Sequence, residues 1–338
     1  MTRHHIAWFA ALGLAGCAAQ AESSRQQAIM ENQGTQLQGV QLQGSQVQGM
    51  TLTGFQYAGA TLGGAALDNV RIERGELVAE QGGVALRGAD LAGAHLFAQA
   101  HDPSHPSSTA QVEYRIATAG VEAEAAMYDP TGTGATYLYT LEQNVDGTGT
   151  WQPACLADTD GRHAAIPLTA FWDDHGNRVE SSALFTFGCT TGVIAKCYRW
   201  GYRPWVTGFG DLVATHWTCT RVARADYCGT GRSHTRDGTV INIWDRLPSP
   251  GPIVSRGTTP LGMLFEAGWN TSGAVCLSHA RWLLNGPVIA LGCPGRLIAP
   301  GLGILNATVC DTVAQVLGQR VSALLFDESN LHLNLDLF

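Results

Sequence analysis

Charged residues are scarce in this chain, and lysine is almost absent. Only 14% of the 338 residues are charged, and Lys196 is the sole lysine beside 19 arginines. The formal net charge of −8 argues against nucleic acid as a partner. No CxxC pair, no GxSxG sequence and no twelve-residue calcium loop occurs, which disfavours zinc clusters, a hydrolase nucleophile elbow and EF-hand calcium binding. We therefore predict neither a metal nor a cofactor.

Long hydrophobic runs are also missing, apart from a short one at residues 6–14. A run of this length is too short for a transmembrane helix and is typical of a signal peptide. The following Leu14-Ala15-Gly16-Cys17 resembles the lipobox of bacterial lipoproteins, which implies cleavage before Cys17 and lipidation of its thiol. Residues 1–17 are accordingly predicted to be a lipoprotein signal peptide and 18–33 a polar spacer. The alternative is an ordinary signal peptide that is cleaved nearby.

Export and a lipid anchor together predict where the protein resides. Several acyl chains on one cysteine anchor a protein stably to a membrane. Position 18, the second residue after cleavage, is alanine and not aspartate, so retention at the inner membrane is not indicated. We expect a protein attached through its N-terminal lipid to the outer membrane or the cell surface.

Glycine is abundant, with 41 residues, and it recurs every five positions from Gly34 to Gly64. Apolar residues keep the same period and resume it after a break, at Leu37, Leu42, Val47, Leu52, Tyr57, Leu62, Leu67, Ile72, Leu77, Leu86, Leu91 and Leu96. Neither a helix, with a period of 3.6, nor a strand, with a period of 2, explains this spacing. A repeat so short must stack on itself to bury its apolar positions.

The five-residue pattern resembles the pentapeptide-repeat family, most closely at Ala89-Asp90-Leu91. The resemblance implies a short right-handed β-helix over residues 34–97, with the central apolar residue of each repeat pointing inward. The earlier repeats depart from the family pattern, because Gln or Thr precedes the leucine. A flexible Gly/Gln stalk is the alternative. Stacking of solenoid ends would allow a homo-oligomer, so an adhesin or filament-forming surface protein is one alternative function.

A globular domain is predicted beyond the repeat. Residues 98–111 contain two prolines and a serine cluster and are interpreted as a linker. In residues 112–338, strands are predicted at 112–116, 137–141, 184–189, 238–244 and 331–338, and helices at 211–227 and 308–317. The predicted fold is thus a disulfide-stapled α+β domain preceded by a short β-helix.

The cysteines beyond Cys17 predict a disulfide framework. Eight remain, all in the second domain: Cys155, Cys189, Cys197, Cys219, Cys228, Cys276, Cys293 and Cys310. An even number in an exported domain implies four disulfides, whose connectivity the sequence leaves open. Cys228 is interpreted as a half-cystine, because a catalytic thiol there would leave one of the other seven unpaired. Gly229 after it is expected to stop the preceding helix in a left-handed conformation.

The motif Ala225-Asp226-Tyr227-Cys228 identifies the second domain with a known family. Together with "SHTRDGT" at 233–239, "FTFGC", "HWTCTR" and "FEAGWNTSGAVC", it resembles the ADYC-domain family of bacterial proteins over roughly residues 110–310. The resemblance implies an exported protein, often a lipoprotein with glycine-spaced repeats before the domain. It implies no particular activity.

A basic and aromatic segment at residues 196–236 is the main candidate binding site. The residues predicted to bind are Arg199, Trp200, Arg203, Trp205 and Arg224. Arginine forks beside aromatic rings suit an anionic sugar, a phosphate or a carboxylate-bearing cell-surface polymer, so the possible partners are an anionic cell-surface glycan or an envelope protein. The alternative is that the aromatic residues belong to the core and the arginines are solvated or paired.

The candidate catalytic residues are His216, Asp226 and His234, with Ser233 as a nucleophile. They would make the protein an extracytoplasmic hydrolase. Asp226 has the alternative role of pairing with Arg221 or Arg224. The sequence favours an exported, lipid-anchored envelope protein with a binding or structural role, and the hydrolase is kept as the alternative.

Overall fold

A computed structural model of the protein shows a mostly β architecture. It describes residues 50–122, 136–144, 147, 149–158, 160–236, 239–248, 251–293, 312–317 and 322–332. The predicted signal peptide, the spacer and the first part of the repeat lie outside these ranges. Over the described part of the chain, no helix has the length and apolar character needed to cross a membrane.

Six antiparallel strands close into a barrel. In order round the barrel they are β1 (Thr51–Gln56), β14 (Leu184–Cys189), β11 (Ala164–Leu168), β9 (Thr136–Asn144), β8 (His105–Glu122) and β7 (His95–Asp102). β7 also pairs with β1, with Phe55 opposite Ala98, and this contact closes the ring. Closure leaves these six strands without an open edge.

Alternating side chains fill the barrel with apolar groups. On β8, Val112, Tyr114 and Ile116 are buried, whereas the residues between them are partly exposed. The Phe55 ring lies 4.9 Å from that of Tyr114 and 5.0 Å from that of Phe187, measured between centroids. The interior is therefore a packed aromatic core and not a ligand cavity.

Short strands from the glycine-rich region pack against the barrel. They are β2 (Thr61–Leu62), β3 (Ala65–Ala66), β4 (Asp68–Glu73), β5 (Glu76–Gln81) and β6 (Val84–Arg87). β4, β5 and β6 form an antiparallel sheet, and the Leu77 N–H of β5 donates to the Tyr139 hydroxyl of the barrel at 2.9 Å. β10 (Trp151–Pro153) extends the barrel sheet beside β9.

The predicted β-helix over 34–97 is wrong for its described part, residues 50–97. A solenoid needs parallel coils, whereas every strand pair here is antiparallel. The periodic glycines Gly59 and Gly64 have φ of +87° and +82°; Gly64 lies in the hairpin turn between β2 and β3, and Gly59 in the bend between β1 and β2. The apolar residues between them are buried in the barrel and in the sheet that covers it. Oligomers formed by stacked solenoid ends lose their structural basis.

The segment 98–111 does not connect two separate domains. It forms part of β7 and β8, where Gln99 lies opposite Gln111 in the ladder. A turn at residues 103–104 joins the two strands, which accounts for the proline and serine that suggested a linker.

The second half of the chain combines helices with another antiparallel sheet. The sheet order is β15 (Ile241–Asp245), β18 (Leu325–Ser329), β16 (Leu264–Asn270) and β17 (Gly273–Leu277). The helices are α1 (Val193–Arg199), α2 (Leu212–Arg224), α3 (Gly286–Gly292) and α4 (Val313–Leu317). A hairpin of β12 (Ala170–Trp172) and β13 (Arg178–Glu180) lies between the barrel strands β11 and β14 in sequence.

The α+β class is wrong, although several predicted elements are confirmed. The strand at 184–189 is β14, the strand at 137–141 lies within β9, and the helix predicted at 211–227 is α2. Local periodicity predicted these elements but not the distant pairing that closes the barrel. The last strand, at 331–338, lies largely outside the described residues, and so does the first part of the helix at 308–317.

Candidate functional site

The Ala225–Cys228 motif forms the end of α2 and the loop that follows it. Ala225 adopts a left-handed conformation with φ of +50°, and the Asp226 N–H donates to the Arg221 carbonyl at 2.9 Å. The helix therefore ends at Ala225, earlier than the predicted stop at Gly229. Gly229 is left-handed as well, and a Cβ atom there would lie 2.1 Å from the Ser272 carbonyl oxygen. Only glycine fits at that position.

Asp226 holds this loop in place from within. Its carboxylate accepts hydrogen bonds from the N–H groups of Thr230 at 3.0 Å and Gly231 at 2.8 Å, and it pairs with Arg221. Arg221 and Asp226 are 2% and 1% exposed. Arg221 also donates to the His175 carbonyl at 2.7 Å, which ties the loop to the β12–β13 hairpin. Of the two partners predicted for Asp226, the structure shows Arg221.

Tyr227 reaches into a buried network of charged side chains. Its hydroxyl donates to Glu266 Oε1 at 2.9 Å and accepts from the backbone N–H of Arg281 at 3.0 Å. The Arg281 guanidinium donates to both Glu266 oxygens, at 2.8 and 3.0 Å, and to Asp327 Oδ2 at 2.9 Å. Trp269 Nε1 donates to Asp327 Oδ1 at 2.7 Å. All five side chains are fully buried.

The network joins the end of α2 to the sheet. Arg281 Nη2 donates to the Val222 carbonyl at 2.6 Å, near the C-terminus of α2. Burial, and then the nearby Glu266, raise the pKa of Asp327 well above its usual range, while Arg281 opposes that shift. One cation between two buried carboxylates leaves a formal negative charge, which protonation of Asp327 removes. This arrangement holds helix and sheet together and offers no opening for a substrate.

Cys228 forms a disulfide with Cys293, so its interpretation as a half-cystine is confirmed. Two more disulfides join Cys155 to Cys189 and Cys197 to Cys219. Cys276 is disulfide-bonded too. Cys17 and Cys310 lie outside the described residues, so lipidation of Cys17 and a disulfide at Cys310 remain predictions.

The predicted catalytic residues are buried, and their hydrogen bonds hold the fold. His216 Nε2 donates to the Ile194 carbonyl at 3.0 Å, and burial lowers the pKa of this imidazole to about 3. His234 Nδ1 donates to the Ala225 carbonyl at 3.1 Å, and the Ser233 hydroxyl donates to the Arg224 carbonyl at 3.0 Å. Their exposed fractions are 0% for His216, 6% for His234 and 8% for Ser233. Ser233, His234 and Asp226 thus hold the loop after α2, whereas His216 joins α2 to α1.

The predicted anion-binding residues do not form one open surface. Arg203 is 1% exposed, and its guanidinium lies 5.6 Å from the Tyr198 ring and donates to Thr136 Oγ1 at 3.3 Å. Trp205 packs on Tyr198 with centroids 4.6 Å apart. Trp200, Arg199 and Arg224 are half-buried, and Arg224 donates to the Gly231 carbonyl. The arginines exposed near the motif are Arg232 and Arg236.

Comparison with family models decides the classification of the domain. The model of the ADYC domain matches residues 88–283, more than half of the chain. The chain belongs to the ADYC family. No curated protein and no solved structure matches it.

The ADYC match begins and ends inside the structural unit. It starts at Gly88, within the segment predicted to be a solenoid, and thus includes β7 and β8 of the barrel. It leaves out β1, which closes the barrel, and β18, which carries Asp327 of the buried network. The folded unit is therefore larger than the part of the ADYC domain that the match covers.

Sequence reasoning missed the charged residues of the buried network. Glu266, Arg281 and Asp327 stand in apolar surroundings in the sequence, and Asp327 lies in the strand Leu325–Ser329, which is buried throughout. Asp245 is similar: its carboxylate accepts from the Val254 N–H at 2.7 Å and from the Tyr202 hydroxyl at 3.1 Å. A charged residue between buried neighbours of a strand is the signal that could have indicated them.

Near these groups, the described residues form no metal centre, and the cavity beside Arg221 and Asp226 is small. Across the ranges that the structure describes, no set of three His, Cys, Asp or Glu side chains is placed to hold a metal ion. One small cavity is lined in part by Trp172, Ile194, Arg221 and Asp226. It offers about 10 Å³ to the centre of a water molecule, which suffices for about one water.

Proposed function

We propose that this ADYC-family protein is an exported envelope protein, tethered by lipid at Cys17, with a binding or structural role. The proposal rests on one observation. The polar groups of the Ala225–Cys228 motif make contacts that hold the fold, and in the described residues none of them faces an accessible cleft. The three disulfides are consistent with an extracytoplasmic protein. The lipobox-like Leu14-Ala15-Gly16-Cys17 supports the tether.

We further propose that the protein binds an anionic component of the envelope through Arg232 and Arg236. Both side chains are exposed on the loop that follows the motif. Asp226 fixes this loop through the N–H groups of Thr230 and Gly231, so the arginines are presented on an ordered backbone. A local positive surface in a chain of net charge −8 suits a negatively charged partner.

Two experiments test the proposal. Labelling of expressing cells with a fatty acid should mark the wild-type chain and the control Ala18→Ser, whereas Cys17→Ser should stay unlabelled. Retention on a dextran sulfate column should fall for Arg232→Gln/Arg236→Gln. It should change little for Arg87→Gln, because Arg87 is already paired with Glu73 and Glu76. An unlabelled wild type would contradict the tether, and equal retention of all variants would contradict the binding role.

A further inference from the structure

An unusual apolar surface lies beside the exposed arginines. It consists of Leu283 and Leu284, in a 3-10 turn, and Val288 and Leu291, in α3; we name these four residues the apolar ridge. They are 37%, 54%, 41% and 86% exposed. Residues 282–293 contain no charged side chain. A helix that is apolar on its outer as well as its inner face is expected to contact something other than water.

The exposure of the ridge is imposed by a well-anchored backbone. On the inner face of α3, Ile289 is 1% exposed and belongs to the core, and the disulfide from Cys293 to Cys228 fixes the end of the helix. Asn285 Nδ2 donates to the His234 carbonyl at 3.0 Å, which ties the 3-10 turn to the loop of the motif. These contacts fix the backbone so that the side chains of the ridge remain on the outer face of the protein.

An aromatic and basic rim borders the ridge. The guanidinium of Arg236 lies 4.2 Å from the centroid of the Trp282 ring, and the Trp282 ring stacks on His332 at 4.7 Å. Trp282 Nε1 donates to Thr239 Oγ1 at 3.3 Å, so the indole is fixed at the edge of the apolar surface. Tryptophan and arginine beside exposed leucines are the side chains that occupy the boundary between lipid headgroups and acyl chains.

We propose that the apolar ridge docks into the surface of a lipid bilayer that carries anionic headgroups. This inference rests on the proposed function and names the anionic partner of Arg232 and Arg236. The leucines enter the interfacial region while the two arginines contact headgroup phosphates. A symmetric contact between two copies is disfavoured, because it would bring the arginine rims of both copies together. The domain would then touch the bilayer independently of the lipid on Cys17.

Hydrogen–deuterium exchange of the full chain tests the docking. The probe is vesicles of phosphatidylcholine with or without phosphatidylglycerol. Exchange in the peptide that covers 282–292 should slow when phosphatidylglycerol vesicles are added, and slow less in high salt. The uncleaved leader is present in every sample, so its own membrane contact is common to all of them.

Substitutions separate the ridge from general binding. Leu284→Glu and Leu291→Glu should each weaken vesicle binding roughly tenfold, since a charged group replaces a leucine that enters the bilayer. Leu261→Glu is the matched control, because Leu261 is fully exposed and lies outside the ridge. Circular dichroism should show that all three variants keep the wild-type fold.

Several outcomes would overturn the inference. Equal vesicle binding by the ridge variants and the control would refute it. So would exchange in 282–292 that slows with protein concentration alone, since a second copy of the protein would then cover the ridge. If dextran sulfate retention still depends on Arg232 and Arg236 in that case, the proposed function stands and only the bilayer assignment is wrong.

Discussion

Replacement of Arg281 by methionine should destabilise the protein strongly, and more at alkaline than at acidic pH. Arg281 is fully buried and is the cation that faces Glu266 and Asp327. Removing one partner from a buried ionic group costs about 3–5 kcal/mol, because the remaining charges lose their compensation in a medium that solvates them poorly. Methionine fills much of the volume, so the loss reports the charge and the hydrogen bonds rather than a cavity.

The pH dependence follows from the raised pKa of Asp327. Burial and Glu266 raise this pKa above its unfolded value, and Arg281 partly holds it down. Arg281→Met therefore raises it further. A carboxyl group whose folded pKa is raised keeps the folded state stable below its unfolded pKa, and this stability is lost as the pH rises through the folded pKa. The difference between variant and wild type should consequently be larger at pH 8 than at pH 5.

Urea unfolding without reductant, so that the disulfides stay intact, measures the effect. The matched control is Arg87→Met, since Arg87 also pairs with two carboxylates, Glu73 and Glu76, but at the surface. Solvent screens exposed pairs, so the control should lose far less stability. The reasoning is refuted if the two variants lose the same free energy of unfolding, or if the difference between Arg281→Met and the wild type is larger at pH 5 than at pH 8.

Three smaller predictions concern the same half of the chain. Tyr227→Phe should lower the free energy of unfolding in urea by about 1–3 kcal/mol, because the Tyr227 hydroxyl bridges two buried partners. Tyr114→Phe is the control and should be neutral, since the buried Tyr114 hydroxyl has no hydrogen-bond partner among the described residues. Gly229→Ala should cost about 3 kcal/mol through backbone overlap, against about 1 kcal/mol for Gly64→Ala, where φ is also positive but space is open. The ring resonances of His216 should stay unchanged down to about pH 4, because burial lowers its pKa to about 3; a titration near pH 6 would show that the ring reaches water.

How far the sequence predicts this fold depends on the range of the contacts involved. The strand at 184–189 and the helix around 212–224 were found because their apolar periodicity is local. The barrel was missed because β1 lies inside the five-residue repeat, where period and glycine content suggested a solenoid. Its partners β7 and β14 are distant in sequence, and nothing in the repeat indicates that Phe55 will pack against Phe187.

For the candidate binding site, the sequence predicted which residue types are concentrated but not which of them are exposed. Arginine and tryptophan between residues 196 and 236 were correctly seen as a concentrated set, yet Arg203 and Arg221 are buried and hold the fold. Sequence alone gives exposure poorly for arginine, because a buried guanidinium and a solvated one look alike until their partners are known. Here one partner is a local carboxylate, Asp226, and others are carbonyl oxygens, which leave no mark in the sequence.

The four residues of the motif perform four different structural tasks, and this separates the family's signature from its function. Ala225 ends the helix in a left-handed turn, Asp226 orders the following loop, Tyr227 joins the buried charges, and Cys228 binds α3 through Cys293. Each of these tasks maintains the fold and none of them requires a particular ligand. We therefore expect specific function to reside on the surfaces that the motif supports. The two surfaces beside the motif are the loop that carries Arg232 and Arg236, and the apolar ridge. The Cys228–Cys293 disulfide joins that loop to the end of α3. Reduction of this bond should therefore disturb the loop and the apolar ridge together.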